Sequence, residues 1–184
     1  TLAQAQAVVL CNAANARGLA GMVRSALPYP RLQALSSVAG EIYFIDTQTW
    51  PGPRAIAAGH GYALPAQGAN VVVGSTYRRG VCESVLSLQG RSQVLDKMQV
   101  LLGGALAQGS MSGTVQSGDG WAGWRASVSD RFPVVGPLED SGVWINACHA
   151  SRGFSWAGLA ADVLAARMFG EPVPLERELC MKMM

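Results

Sequence analysis

The spacing of apolar positions changes several times along the chain. Residues 7–11 (Ala-Val-Val-Leu-Cys) form a short unbroken apolar run, the pattern of a strand buried on both faces. A tight small-residue segment follows at 12–16. Residues 31–45 read as mostly extended, and 37–45 is rich in β-branched and aromatic side chains. Pro51-Gly52-Pro53 marks a turn. The runs 54–57, 61–64 and 70–74 read as antiparallel strands, the last two joined by a hairpin-sized link at 65–69.

At 84–107 the period lengthens. Val85, Leu88, Val94, Leu95, Met98, Leu101, Leu102 and Leu106 fall largely at three- and four-residue spacings. That predicts a helix, weakened near Gly90 and ended around Gly103 and Gly104. Residues 112–129 are Gly-rich and strand-like. Ser141 and Gly142 lead into a buried strand over 143–148, and a Gly- and Ser-containing loop at 150–153 opens a helix over 154–168, ended by Gly170 and Pro172. The expectation is an antiparallel sheet with one long helix, then a strand–loop–helix unit, without internal repeats.

Composition narrows the class. The 184 residues suit one domain or one and a half. With 49% apolar and 14% charged residues the chain is no disordered tail and can bury a sizeable core. The 22 glycines point to many turns and close backbone approaches. A net charge of +2 is too small to argue for nucleic-acid binding by itself. Cys11, Cys82, Cys148 and Cys180 are scattered without a Cys-x-x-Cys pair, and only His60 and His149 accompany them, so no metal site is expected. They read as buried free thiols in a reducing cytosol. The first residues lack a signal-peptide pattern. No apolar run approaches the roughly 20 residues that cross a bilayer. A buried-type strand with almost no lead-in reads as a chain cut from something larger.

Two segments carry candidate chemistry, 123–136 and 145–154. In the second, a strand ends, a small-residue loop follows and a helix begins. Helix N-terminal N–H groups lack internal partners and carry partial positive charge, so they suit a carbonyl or an anionic ring edge. An ordinary capped turn has the same spelling. In the first segment Arg125 is flanked by Trp121 and Trp124. It lies either on the solvated face of a sheet or in a pocket, where a guanidinium forks a carboxylate.

Together these segments resemble the C-terminal half of the D-amino-acid oxidase and glycine oxidase superfamily. The shared pattern is an arginine, then Asp130-x-x-Pro133-x-x-Gly136, a strand, and a Ser151-Arg152-Gly153 loop opening a long helix. The resemblance is closer to the branch that makes 5-methylaminomethyl-2-thiouridine in tRNA. It rests on Val38-Ala39-Gly40, Gly74-Ser75-Thr76-Tyr77-Arg78-Arg79-Gly80, 125–136 and Ser151-Arg152-Gly153-Phe154, in order over almost the whole chain. Two places depart from the pattern: Glu41 stands where relatives often have Gln, and Ser151-Arg152 replaces the paired glycines of some oxidases.

The resemblance implies an α+β fold: an antiparallel substrate-domain sheet with one long helix, plus the C-terminal strand–loop–helix of an FAD-binding domain whose Rossmann half is missing. The domains implied are 1–30 (FAD-binding remnant), 31–127 (substrate domain) and 128–184 (return to the FAD-binding domain). FAD is the implied cofactor, met by Asn12, Ala13, Ser151, Arg152, Gly153, Phe154 and Ser155. Arg125, Arg152 and Tyr62 are the implied substrate residues, with no side-chain acid or base required. The implied reaction removes a carboxymethyl group, as glyoxylate, from a tRNA wobble uridine in the cytoplasm. Arg78 and Arg79 either contact tRNA phosphates or sit in a solvated turn. The implied partners are tRNA, the missing nucleotide-binding half and a fused methyltransferase domain, with no membrane. Without that half the fragment is expected to be inactive. The alternatives are an oxidase of free glycine or sarcosine, and a non-catalytic fragment.

Overall fold

The computed structural model describes residues 5–23, 29–103, 118–138 and 141–184. In chain order the elements are β1 (Val8–Leu10), a 3-10 turn (Ala13–Asn15), α1 (Ala16–Val23), α2 (Pro30–Gln33), β2 (Ser36–Asp46), β3 (Ala57–Ala58), β4 (Tyr62–Ala63), β5 (Asn70–Gly74), α3 (Leu88–Leu102), β6 (Gly120–Ser127), β7 (Val134–Pro137), β8 (Val143–Ala147), α4 (Gly153–Phe169) and α5 (Arg177–Lys182). The chain divides into two compact units, residues 1–37 with 125–184, and residues 38–124. Both divisions fall inside strands, β2 and β6, so no linker composition marks them. The sequence reading placed its boundaries at 30/31 and 127/128, seven and three residues from these.

The first unit is built on a mixed sheet in the order β1-β8-β7. β1 runs parallel to β8 with Leu10 opposite Ile145, and β7 runs antiparallel to β8. Val134 and Val135 are both fully buried but belong to different clusters, because successive side chains of a strand point to opposite faces. Val134 packs with Ala16, Ala20, Leu32 and Ile145. Val135 packs with Ala160, Val163 and Leu164 of α4 and with Met183.

The second unit holds a five-stranded sheet in the order β3-β4-β5-β2-β6. β2 and β5 are antiparallel, with Tyr43 opposite Val73. Tyr43, Ile45, Val71 and Val73 are buried beneath Val94 and Met98 of α3, while Ile42 and Phe44 face the other way and stay half-exposed. This alternation is the signature of a sheet packed on one face.

Several expectations change. The run at 7–11 is shorter as a strand and not buried, for Val8 is 46% and Val9 38% exposed. The helix read from 84 begins at Leu88, because the Ser87 hydroxyl caps it by accepting the Gly90 N–H at 3.0 Å. It ends at Gly103, whose φ of 59° is the left-handed conformation glycine takes without strain. α1, β7 and α5 were not read at all, α2 is helical where the chain from 31 was read as extended, and of the 54–57 run only Ala57 lies in a strand, β3. Residues 112–117, with Gly104 and Leu106, lie outside the described residues. Gly118-x-Gly120-x-x-Gly123 has the letter pattern of a nucleotide-binding turn, but it runs into an extended strand rather than opening a helix, so it is no phosphate-cradling turn. Its last two glycines serve packing. A Cβ on Gly120 would meet the Ile42 carbonyl oxygen, and one on Gly123 the Trp121 ring.

Candidate functional site

β1 and β8 run in the same direction, so the segments leaving them emerge at one edge of the sheet. Asn12 and Ala13 follow β1, and the loop 148–152 follows β8. The carboxyl edge of parallel strands is where α/β sheets leave room for ligands. Beside it lies an open cleft of about 700 Å³ lined by Asn12, Asn15, Arg17, Met22, Leu35 and Ser37.

The loop after β8 is sharply bent. Cys148 has φ 68° and Ala150 φ 52°, two non-glycine residues in the left-handed region. The Ala150 N–H donates to the Ala126 carbonyl at 3.0 Å, and the Arg152 N–H donates to the His149 carbonyl at 3.0 Å. The Ala126 bond ties the loop to β6 at the residue next to Arg125, which is itself half-buried. The His149 Nε2 lies 2.7 Å from the Asn146 Oδ1. Burial lowers the His149 pKa, favouring the neutral ring. Cys148 is buried, and desolvation pushes its thiol up to about 11.

α4 begins immediately behind this loop. Arg152 is its N-cap and contributes no side-chain capping bond. The Trp156 N–H donates to the Arg152 carbonyl at 2.9 Å, which leaves the N–H groups of Gly153, Phe154 and Ser155 ahead of the first helical bond. Ser151, Arg152, Phe154 and Ser155 are exposed, and a Cβ built on Gly153 would meet nothing within 4 Å. This is a donor-only set at the positive end of a 17-residue helix. It fits an acceptor edge such as the O2 and N1 side of a flavin ring.

Asp130-x-x-Pro133-x-x-Gly136 turns out to be a clamp. Arg31 grips Asp130 with both arms, Nε to Oδ2 at 2.9 Å and Nη2 to Oδ1 at 2.7 Å, and it also donates to the Phe132 and Pro133 carbonyls. Burial acts to raise the Asp130 pKa, but the Arg31 hydrogen bond and the Phe132 N–H outweigh it and hold the carboxyl below its usual value. Gly136 leaves room for Tyr29, whose Oη would stand 2.5 Å from an added Cβ and donates to the Pro137 carbonyl at 2.6 Å.

The remaining sequence candidates lie in the other unit. The Tyr62 ring lies across Gly74, where a Cβ would come within 2.8 Å of its Cζ and Oη. Arg78 does not sit in a solvated turn; its Nη2 is 2.7 Å from the buried Glu41. Arg79 is exposed and its guanidinium lies 6.0 Å from the Tyr77 ring centroid. Three features escaped sequence reading: the Arg31 clamp, the His149–Asn146 pair and the polar cluster around Glu41. Only the last left a signal, a carboxylate within an apolar strand. Among the described residues no group of three or more His, Cys, Asp or Glu side chains is placed to hold a metal ion. No helix among them is long and apolar enough to cross a membrane.

Residues 1–167 match the family described as FAD dependent oxidoreductase. The chain is 30% identical over 201 residues to the tRNA 5-methylaminomethyl-2-thiouridine biosynthesis bifunctional protein MnmC of Burkholderia multivorans, covering 97% of this chain and 29% of that protein. It is 31% identical to the MnmC of Burkholderia orbicola, covering 97% of this chain and 30% of that protein. It thus spans less than a third of these curated relatives. Its fold is similar to that of glycine oxidase from Geobacillus kaustophilus, with a TM-score of 0.70 and 21% identity over 94% of this chain and 44% of that one. The iminodiacetate oxidase IdaA from Chelativorans sp. BNC1 gives 0.70 and 21% over 96% of this chain and 46% of that one.

Proposed function

Because the chain belongs to the family of FAD-dependent oxidoreductases, we propose that it is part of an enzyme that oxidises the CH–NH bond of an N-substituted glycine. The substrate proposed is the carboxymethylaminomethyl group on a wobble uridine of tRNA, in line with the names of its curated relatives. FAD, when bound, supplies the acceptor for a hydride from the α-carbon. Water then splits the resulting imine into glyoxylate and an aminomethyl-uridine.

The protein's share is orientation and charge complementarity. The first N–H groups of α4 would face the flavin edge where negative charge develops, with Asn12 and Ala13 at the same edge of the sheet. Arg125 would hold the substrate carboxylate, with Arg152 as a second cation; Tyr62 is a further substrate candidate of the same reading. Of the arginine pair at 78–79, the exposed Arg79 is the one proposed to meet tRNA phosphate. A nucleotide-binding half, a fused methyltransferase domain and a cytoplasmic location belong to the same reading. The observation that carries it is the bond from the Ala150 N–H to the Ala126 carbonyl, which brings the helix-opening loop against the strand of Arg125.

A second reading is an oxidase of free glycine or sarcosine, favoured by the likeness of fold to glycine oxidase and iminodiacetate oxidase. Anaerobic reduction of the flavin in the full-length protein separates the two. Carboxymethylaminomethyl-tRNA should bleach it at far lower concentration than glycine or sarcosine. The reverse preference selects the second reading. A protein that takes up no FAD and shows no amine-dependent bleaching overturns both.

A further inference from the structure

Resting on the flavin reading above, we propose that His149 is a positioning residue: by hydrogen-bonding Asn146 it holds the 148–150 turn in the form that aims the first N–H groups of α4 outward. The turn needs holding. Cys148 and Ala150 both occupy the left-handed region, which costs energy for residues with a Cβ and persists only where the surroundings enforce it. Such strain gathers at ligand sites, and here it lies directly before the donor end of a helix.

Four restraints act on the turn. Two are backbone bonds, Ala150 N–H to the Ala126 carbonyl and Arg152 N–H to the His149 carbonyl. These are open to any residue. The third is burial of the Cys148 side chain, 1% exposed, in the cluster around Ile145. The fourth is the 2.7 Å contact from His149 Nε2 to Asn146 Oδ1. It is the side-chain hydrogen bond among the four, and it ties the turn back to the strand it leaves, because Asn146 is held in β8 opposite Val135. With Asn146 Oδ1 as the acceptor, the ring carries its proton on Nε2 and donates. An Nε2–H donates whether the ring is neutral or protonated, so the bond does not depend on the ring's charge. Without the bond, Cys148 and Ala150 are free to relax toward ordinary backbone angles, and the donor end of α4 swings with them.

The test uses the full-length protein loaded with FAD and titrated with sulfite, whose addition to a flavin leaves negative charge on the pyrimidine edge. A second readout is the dissociation constant of FAD itself. His149→Ala should weaken sulfite binding about tenfold, the effect of one well-placed hydrogen bond. His149→Gln, which keeps a donor for Asn146, should restore most of it. Asn146→Ala, which removes the acceptor from the strand, should reproduce the His149→Ala loss and decides the matter if His149→Ala does not fold. A purely structural role for His149 would lower stability while leaving sulfite affinity within twofold of wild type, and that result overturns the proposal. Wild-type protein that takes up FAD and binds sulfite, with variants that do the same, rejects the positioning role alone. Wild-type protein that takes up no FAD rejects the flavin reading and this inference with it.

Discussion

The Glu41 Oε1 lies 2.7 Å from the Arg78 Nη2, and the Glu41 side chain is completely buried. The acid is fully engaged. Its Oε2 accepts the Tyr43 hydroxyl at 2.5 Å and the Ser87 N–H at 2.8 Å, at the capped end of α3. Burial first, then the hydrogen bond to Glu41, raises the Tyr43 phenol above its usual range. A carboxylate taken out of water is tolerated only while its partners remain. Arg78→Ala should therefore lower the unfolding free energy by about 3–5 kcal/mol, the cost of stranding one half of a buried pair. Adding Glu41→Gln to that variant should recover part of the loss by removing the stranded charge. Urea unfolding checks both, and an Arg78→Ala variant as stable as wild type would show that the pair is dispensable.

The same carboxylate explains Gly90. A Cβ there would run into Glu41 Oε2 and stand 2.5 Å from its Cδ and Oε1. Helix propensity argues for Ala over Gly by about 1 kcal/mol, but overpacking against a fixed carboxylate costs about 1–3 kcal/mol. Gly90→Ala should destabilise on balance. Gly158→Ala is the matched control: it lies inside α4 with nothing within 4 Å of an added Cβ, and should stabilise by about 0.5–1 kcal/mol. Opposite shifts in Tm confirm the contrast, and equal shifts refute it.

Much of the framework was legible. The 70–74 run is β5 residue for residue, and the 154–168 helix is α4 with one residue added at each end. Local pattern sufficed there because each element carries its own period and stop signal. It failed where partners are distant. α1 was missed because Gly18 and Gly21 dilute its helical pattern, and its inner face is only the small Ala16 and Ala20. β7 hid inside the Asp-x-x-Pro-x-x-Gly spelling. That spelling suggests a ligand loop until Arg31, 99 residues upstream of Asp130, is seen gripping it. The candidate site was legible as a loop before a helix. The left-handed angles at Cys148 and Ala150 were not, since neither residue type announces a positive φ.

The Arg31–Asp130 clamp should give stability a definite pH dependence. The carboxyl's pKa is lowered in the folded state, so its contribution is present above the unfolded carboxylate value, near pH 4. It fades as pH falls through the depressed folded value. Asp130→Asn should thus be less stable than wild type at neutral pH by on the order of 1 kcal/mol, since partial exposure screens the pair. The gap should close in strong acid. Unfolding midpoints compared at neutral and acid pH check this, and a gap that widens in acid would have the wrong sign.

Thiol chemistry offers an independent readout of the loop. All four cysteines were expected to be buried, but only Cys148 and Cys180 are; Cys11 and Cys82 are exposed, on segments outside the packed cores. With its thiol pushed up to about 11 by burial, Cys148 holds almost no thiolate at neutral pH. A disulfide reagent should modify Cys11 and Cys82 promptly in the native chain, and Cys148 only after denaturant is added. Prompt modification of Cys148, located by peptide mapping, would contradict its burial in the core behind the loop.

Arg125 carries the substrate half of the functional reading and has the sharpest test. It sits on β6 beside Ala126, whose carbonyl receives the Ala150 N–H, so its backbone lies one residue from the point where the helix-opening loop meets the strand. A planar fork can take both oxygens of a carboxylate, which an ammonium on a flexible stem cannot match. In the full-length enzyme Arg125→Met should raise KM for the carboxymethylamine substrate about 100-fold, a loss typical of a charged partner removed from an ion pair. Arg125→Lys should recover only part. The decisive control is an amine lacking the carboxylate: with nothing for the guanidinium to hold, wild type and Arg125→Met should process it alike. If the variant instead slows both substrates equally, Arg125 supports the strand rather than the substrate, and carboxylate recognition must be sought elsewhere on the chain.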